Sequence, residues 1–231
     1  MNVLEHIADP KIIDNMFHAK AMFVGDILYK NAYLHPNRIA LEWQDRKWTF
    51  KTLNNEVNRI ANGLLQLGIN KGERISILTR NCAECCHIFY AGGKIGAILS
   101  FINWRWTNQE IVEAMDVIQP STLIISEEYV EKIDYISSNK TYLKNIIVLN
   151  DSRKVEFDKQ LHNTPFIQFT DLLEYEETEP DVSIDEEDPL YIVYTSGTTG
   201  TPKGATISHR ATIQRVIAQL ATFPTLLNVS K

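Results

Sequence analysis

Cysteine is scarce in this sequence, and its three cysteines, Cys82, Cys85 and Cys86, lie in one short stretch beside His87. Cys82 and Cys86 stand at positions i and i+4 of a predicted helix, a spacing that can hold a metal. The second pair of ligands that a structural zinc site needs is missing, so a metal site is the weaker alternative. We interpret the thiols as small apolar fillers on a half-buried helix, and clustered reduced thiols are typical of an intracellular protein.

A basic excess is also missing, because 23 Lys and Arg stand against 29 Asp and Glu, for a formal net charge of −6. Surfaces that bind nucleic acid normally carry a clustered basic excess, so we expect no nucleic-acid partner. The N-terminus has no basic head followed by an apolar run, and no later stretch is as long as a membrane span. The sequence therefore predicts a cytoplasmic protein with no transmembrane segment and leaves its oligomeric state open.

What the sequence does contain is an alternation of apolar strands and amphipathic helices. Its 231 residues are 44% hydrophobic, which is enough for a substantial core in one large or two small domains. Helices are predicted at 12–34, 53–65, 81–96, 107–118 and 127–137, and strands at 39–43, 47–50, 74–79, 97–102, 123–125, 146–149 and 190–194. The first two strands form a predicted hairpin. Alternation of this kind predicts an α/β fold with a mostly parallel sheet covered by helices on both faces.

Several helix starts carry residues that suit a cap. Thr49 is a candidate cap for the second predicted helix, and the segments 81–84 and 107–110 are candidate capping boxes for the next two. Gly92 and Gly93 lie inside the third helix, where glycine lowers helix stability. We therefore expect close packing of that helix against a neighbouring element.

An acidic stretch between Glu174 and Asp188 is interrupted by proline. Its carboxylates have no fixed spacing and would repel nearby phosphates, so metal binding is the weaker alternative and a solvated linker is favoured. The predicted organisation is an N-terminal α/β subdomain at 1–173, an acidic linker at 174–189 and the start of a second subdomain at 190–231.

The chain is organised around the segment from Tyr194 to Gly204, which is rich in Gly and Thr and directly follows an apolar strand. Its glycines can turn through positive φ and bring backbone N–H groups close to an anion, and its hydroxyls can donate to phosphate oxygens. Lys203 supplies a compact positive charge, and Pro202 stiffens the loop that presents it. A strand, a phosphate-holding loop and a helix are therefore predicted in that order, at the carboxyl end of the sheet. The spacing fits neither a Walker loop nor Gly-x-Gly-x-x-Gly, and a plain surface turn is the alternative from composition alone.

This segment resembles the ATP-phosphate signature of the adenylate-forming superfamily, which includes acyl-CoA synthetases, firefly luciferases and the adenylation domains of peptide synthetases. Upstream, residues 71–75, Asn81, 94–97 and 103–107 resemble successive N-terminal landmarks of the same family, in the right order. The resemblance covers the chain from about Tyr33 to its end. It implies the N-terminal part of the fold of adenylate-forming enzymes.

The resemblance also implies roles for single residues. Lys203 is the implied catalytic residue, and magnesium is the implied bridging ion, with the hydroxyl of Thr198 as a candidate ligand. His209 matches a family position beyond the loop, where a ligand contact and a capping or packing role are equally open. The residues implied to bind ATP are Thr195, Ser196, Gly197, Thr198, Thr199, Gly200, Lys203 and Gly204.

The activity implied by the resemblance is a two-step ligation. A carboxylate attacks the α-phosphate of ATP to give an acyl-adenylate, and coenzyme A then takes the acyl group. Residues 103–107 are most similar to acyl-CoA synthetases of fatty or related acids, so the expected partners are ATP, a fatty acid and coenzyme A. The family's remaining sites lie downstream of Lys231, which makes the chain an N-terminal portion of such a ligase. The alternatives are a non-catalytic fragment that at most binds nucleotide, and an adenylation domain or luciferase-like enzyme.

Overall fold

The computed structural model describes residues 23–138, 140–149, 166–195 and 203–222. Its α-helices are α1 (Val24–Leu34), α2 (Phe50–Gln66), α3 (Ala83–Ile95), α4 (Asn108–Ile118), α5 (Ile133–Ser137) and α6 (His209–Thr222). Its strands are β1 (Ile39–Trp43), β2 (Arg46–Thr49), β3 (Arg74–Leu78), β4 (Ile98–Phe101), β5 (Thr122–Ser126), β6 (Asn145–Leu149), β7 (Ile167–Gln168), β8 (Pro189–Thr195) and β9 (Lys203–Ser208). Two stretches, Glu127–Lys132 and Phe169–Glu174, are 3-10 helices.

Strands β3 to β9 form one seven-stranded sheet in the order β7-β6-β5-β3-β4-β8-β9. Neighbouring strands are parallel except for the pair of β8 and β9, which is antiparallel. The hairpin predicted from the first two strands is confirmed, since β1 and β2 pair antiparallel in a small sheet of their own.

The hydrophobic core consists of two main clusters, one on each face of the large sheet. Ile124 and Ile147 belong to a cluster with α2 and α3, whereas Leu123 and Ile146 belong to a cluster with α4 and α5. Neighbouring residues of a strand point to opposite faces, so helices cover both sides of the sheet. The predicted fold class, a mostly parallel sheet between helices, is confirmed.

The caps of α2 and α4 are those that the sequence predicts. The backbone N–H of Thr52 donates to Oγ1 of Thr49 at 3.2 Å at the start of α2. Thr107 and Glu110 form a reciprocal capping box at the start of α4. Each cap satisfies backbone donors that the first helical turn leaves without partners.

The predicted capping box at 81–84 is wrong. Cys82 is the N-cap of α3, and its side chain makes no capping hydrogen bond. Glu84, which would have closed the box, pairs with Arg46 of β2 at 2.9 Å. Pairing with the guanidinium brings two opposite charges together, and this contact lowers the pKa of Glu84 against the effect of burial.

Two other predicted helices differ in extent from the observed ones. The helix predicted at 12–34 is observed as α1 from Val24 onward, and its first part lies outside the described residues. The helix predicted at 127–137 is divided into a 3-10 stretch and the short α5.

The acidic stretch lies along α2, and its residues are exposed or half-buried. Asn58 Nδ2 donates to the carbonyl of Glu177 at 2.9 Å, and Asn62 Nδ2 donates to the carbonyls of Glu176 at 2.7 Å and Thr178 at 2.9 Å. The two asparagines are one helical turn apart, so one face of α2 donates to three successive carbonyls of the stretch. A subdomain boundary at 174–189 stays a prediction.

Gly92 lies where α3 meets β4 and leaves no room for a side chain. A Cβ at this position would lie 2.7 Å from Cδ2 and 3.0 Å from Cγ of the fully buried Leu99. The close packing predicted for this helix is therefore confirmed at Gly92. We expect Gly92→Ala to lower the free energy of unfolding by about 1–2 kcal/mol, which is the cost of overpacking less the gain in helix propensity. Urea denaturation followed by circular dichroism measures this difference.

Gly93→Ala is the matched control for this substitution. A Cβ on Gly93 would meet Cδ1 of Leu190 at 3.4 Å, which is ordinary van der Waals contact. Alanine there should leave stability unchanged or raise it by up to about 1 kcal/mol through helix propensity. Equal destabilisation of the two variants would contradict the packing explanation.

Candidate phosphate-binding site

The loop at 196–202 begins and ends at one point of the sheet. β8 pairs in parallel with β4, and β9 runs back antiparallel to β8. Thr195 and Lys203 are Cα partners in that pair, so the two ends of the loop lie side by side beyond the carboxyl end of β8. Parallel α/β sheets bind ligands at this edge.

Five of the implied ATP-binding residues, Ser196, Gly197, Thr198, Thr199 and Gly200, lie outside the described residues. The structure therefore places three of the eight implied residues, namely Thr195, Lys203 and Gly204, and brings them together at the base of the loop.

The predicted order of strand, loop and helix is wrong, because β9 stands between the loop and α6. Thr206 and Ile207 of β9 are β-branched, which suits a pleated strand beside β8. The helix follows this strand, and Ser208 caps it, with its Oγ accepting from the backbone N–H of Ala211 at 3.2 Å. β8 and β9 therefore pair as a hairpin, and α6 begins only after β9.

A side-chain bond closes the base of the loop in addition to the strand pairing. Oγ1 of Thr195 donates to the backbone carbonyl of Lys203 at 3.3 Å. Lys203 is itself exposed at the start of β9. Its ammonium group is thus carried by a backbone that is fixed at the sheet edge and remains accessible to a ligand.

Gly204 serves close packing and not a left-handed turn. It lies opposite Tyr194 in the strand pair, and its φ is not positive, unlike that of Gly96. A Cβ on Gly204 would lie 2.8 Å from Cγ2 of Ile192. The positive φ expected of the loop glycines is therefore wrong for Gly204, where the missing side chain lets β9 lie close to Ile192.

Tyr194 anchors the end of strand β8, just before the loop. The sequence did not predict this role. Its hydroxyl donates to the carbonyl of Ala114 at 3.1 Å and accepts from Oγ of Ser100 at 3.0 Å. Its ring makes an edge contact with Trp106, with centroids 5.4 Å apart. Burial raises the pKa of Tyr194, which keeps the phenol protonated for both bonds. One side chain thus ties the start of the loop to β4 and α4.

His209 is a buried packing residue at the start of α6. It is 0% exposed, and its Nδ1 accepts the backbone N–H of Val24 at 3.1 Å. Phe23 lies edge-on to its ring at a centroid distance of 6.1 Å. Burial lowers the pKa of His209 to about 4, with Asp188 acting in the opposite direction, so the ring is neutral at pH 7. Of the two roles left open by the sequence, the structure shows packing.

A separate cavity of about 610 Å³ opens at the carboxyl ends of β3 and β5. Residues 79–82 and 126–128 form much of its wall. The chain leaves β3 toward β4 and leaves β5 toward β6, in opposite directions along the sheet. Such a reversal of strand order forms a crevice that often binds ligands. Sequence reasoning missed this cavity because it depends on the order of strands in the sheet.

Across the part of the chain that the structure describes, no three His, Cys, Asp or Glu side chains are grouped so as to hold a metal ion. His87, next to the cysteines, contacts the Ala83 carbonyl at 2.9 Å and Glu56 at 3.1 Å. Among the helices of the described ranges, none combines the length and the apolar character that a membrane crossing requires.

Residues 28–229 match a family model described as AMP-binding enzyme. The chain is 29% identical, over 82% of its length, to a 3-oxocholest-4-en-26-oate–CoA ligase of Rhodococcus rhodochrous and covers 33% of that protein. It is 31% identical, over 70% of its length, to 4-coumarate–CoA ligase 3 of Arabidopsis thaliana and covers 27% of it. The chain thus spans a third or less of the length of these two curated relatives.

A solved structure of a CoA ligase is also similar to this chain. A crystal structure of an anthranilate CoA ligase in complex with anthranoyl-AMP superposes with a TM-score of 0.72 and 29% sequence identity. The superposition covers 82% of this chain and 35% of that one.

Proposed function

The chain belongs to the AMP-binding enzyme family, and on this premise we propose that it is the phosphate-binding portion of an AMP-forming acyl-CoA ligase. In this proposal the loop from Thr195 to Gly204 holds the β- and γ-phosphates of ATP. The relatives named above are CoA ligases, and one related structure contains an acyl-adenylate.

The observation that carries the proposal is the closure of the loop by Thr195 and Lys203. Strand pairing and the 3.3 Å hydrogen bond fix both ends of the loop at the ligand-binding edge of the sheet. Fixing both ends of a loop lowers the conformational entropy that is lost when the loop binds a polyphosphate. Lys203 is exposed at that base and supplies positive charge where the phosphates would lie.

The proposed chemistry has two steps. A carboxylate oxygen of the acid attacks the α-phosphorus of ATP, the bond from that phosphorus to the bridging oxygen breaks, and pyrophosphate leaves with the added negative charge. Loop donors and Lys203 stabilise this charge without having to reorganise. The sulfur of coenzyme A then attacks the acyl carbonyl, and AMP leaves.

Substrate, ion and location are the finer parts of the proposal. The acid is a fatty or related carboxylic acid, which is supported by the similarity of residues 103–107 to acyl-CoA synthetases of that class and by a relative that acts on a steroid-derived acid. Thr198 remains the proposed magnesium ligand, and a magnesium ion there would screen the charge of the phosphates. A cytoplasmic location and a second subdomain beginning at 190 complete the proposal.

Isothermal titration of the whole chain with Mg-ATP tests the phosphate role. We expect Lys203→Ala to weaken binding by roughly 10- to 100-fold, because a charged hydrogen bond to phosphate contributes about 1.5–3 kcal/mol. Lys47→Ala is the matched control, since Lys47 pairs with Glu42 at 2.9 Å in the separate hairpin of β1 and β2.

Lys47→Ala should bind Mg-ATP as the unmodified chain does. An affinity for Lys203→Ala equal to that of the unmodified chain would overturn the phosphate role of this lysine. Absence of any binding to the unmodified chain would instead exclude nucleotide binding by these 231 residues alone.

A further inference from the structure

Cys82 and Cys85 bring two thiols together at the first turn of α3. Cys82 is the N-cap of the helix, and Cys85 follows three residues later on the same side. Their sulfur atoms are 3.5 Å apart, and the backbone N–H of Cys85 donates to the carbonyl of Cys82 at 3.2 Å. A Cys-x-x-Cys pair at a helix N-terminus has the spacing of dithiols that close to a disulfide.

The surroundings of the two sulfurs make them unequal. A hydrogen bond from the Cys82 thiol lowers the pKa of Cys85 to about 7, against the opposing effect of burial. The pKa of Cys82 is raised by the same hydrogen bond and by burial. Glu84 lies between them in sequence and disfavours a thiolate, but Arg46 pairs with its carboxylate. Thiol–disulfide exchange starts with the attack of a thiolate, so Cys85 is the thiol that begins the exchange.

Small molecules can reach this pair. Both cysteines are only partly buried, and Cys82 lines the cavity of about 610 Å³ at the ends of β3 and β5. Arg80 lies in the same wall, where its guanidinium stacks 4.5 Å from the ring centroid of Trp104. The cavity therefore leads to Cys82, and the partly exposed sulfur of Cys85 lies 3.5 Å from the sulfur of Cys82.

We propose that Cys82 and Cys85 form a redox-active dithiol that a small disulfide, such as glutathione disulfide, oxidises to an intrachain disulfide. The thiolate of Cys85 attacks one sulfur of glutathione disulfide, a mixed disulfide forms, and one glutathione thiolate leaves. Cys82 then gives up its proton and attacks the Cys85 sulfur, which releases the second glutathione. The protein dithiol is oxidised by two electrons, and one disulfide is reduced to two thiols.

Cys86 supplies an internal comparison. Burial raises its pKa, and no contact between its sulfur and the other two sulfurs is among the hydrogen bonds of the described residues. It should therefore neither start the exchange nor take part in the disulfide. The inference does not rest on nucleotide binding and is tested without ATP.

The test uses the whole reduced chain, incubated with mixtures of reduced and oxidised glutathione at pH 7 and quenched with acid. Intact mass and peptide mapping should show the unmodified chain and Cys86→Ser two hydrogen atoms lighter, with Cys82 linked to Cys85. Cys82→Ser should instead retain a glutathione adduct on Cys85, because the second step is removed. A lasting adduct on the unmodified chain, a link to Cys86 or no reaction would each overturn the proposal.

A second measurement stays valid even if a serine variant does not fold. The rate at which iodoacetamide labels Cys85 in the unmodified chain should rise with pH around a midpoint of about 7. A midpoint near 9, the ordinary thiol value, would show that Cys85 is not activated.

Discussion

Replacing Lys94 with methionine should lower the free energy of unfolding by about 3–5 kcal/mol, because it leaves a partly buried carboxylate without its cation. The ammonium of Lys94 donates to Oδ1 of Asn54 and of Asn58, each at 2.8 Å, and to Glu179 at 2.5 Å. The lysine side chain is only 3% exposed. Burial lowers its pKa, and Glu179 opposes that shift by favouring the charged form. The same substitution therefore removes three hydrogen bonds that join α3 to α2 and to the acidic stretch.

Lys144→Met is the matched control for this variant. Lys144 pairs with Glu73 at 3.2 Å, but its side chain is 65% exposed, so water replaces the lost bond. We expect a loss of at most about 1 kcal/mol. Urea denaturation measures the free energy of unfolding of both variants. Equal losses would show that the burial of Lys94 is not the cause of its larger effect. Adding Glu179→Gln to Lys94→Met should recover part of the loss, since no carboxylate is then left unpaired.

The titration of His209 should lower the free energy of unfolding by about 2 kcal/mol when the pH falls from 7 to 4.5. The folded-state pKa is about 4 and the reference value 6.5, so the unfolded chain binds a proton in a range where the folded chain does not. The neutral ring makes its full contribution to the free energy of unfolding above pH 6.5, and this contribution is lost as the pH falls toward 4. Protonation would also put a charge on a fully buried ring whose Nδ1 must accept from Val24.

Other groups titrate in the same range, so the test compares variants. His209→Asn keeps a side-chain oxygen that can accept from Val24 but does not titrate. Its unfolding free energy should fall less between pH 7 and pH 4.5 than that of the unmodified chain, by about 2 kcal/mol. His35→Asn is the control, because His35 is exposed at the end of α1 and meets water in both states. If His209→Asn shows the full acid sensitivity of the unmodified chain, the buried ring is not its source.

The regular part of the fold could be predicted from the sequence because its signals are local. Strands that are apolar throughout, in alternation with helically spaced apolar residues, predict the parallel sheet and its helices. Thr107 with Glu110 predicts a capping box that is observed. The misses depend on partners far away in the chain. Glu84, for example, binds Arg46 of β2 instead of closing a cap.

At the candidate site too, the local features could be predicted from the sequence and the features that depend on distant partners could not. Residue types leave a phosphate loop and a plain surface turn open, and the family resemblance favours the phosphate loop. The structure places Lys203 at the base of that loop. The strand β9 was missed because the motif suggests a direct entry to a helix, whereas pairing with β8 decides the outcome. Tyr194 was missed because its partners, Ser100 and Ala114, are brought to it only by the order of the strands.

From the pairing of β4 with β8 we expect a late step in the folding of the molecule. Leu99 and Tyr191 are register partners although a long stretch of chain separates them. Closing so long a loop lowers the conformational entropy of the chain before stabilising contacts form. Pairings of this kind therefore tend to form late and slowly. The central strands can form first, and the hairpin of β8 and β9 docks on them afterward. During refolding, affinity for a polyphosphate should therefore return after the helical signal has recovered.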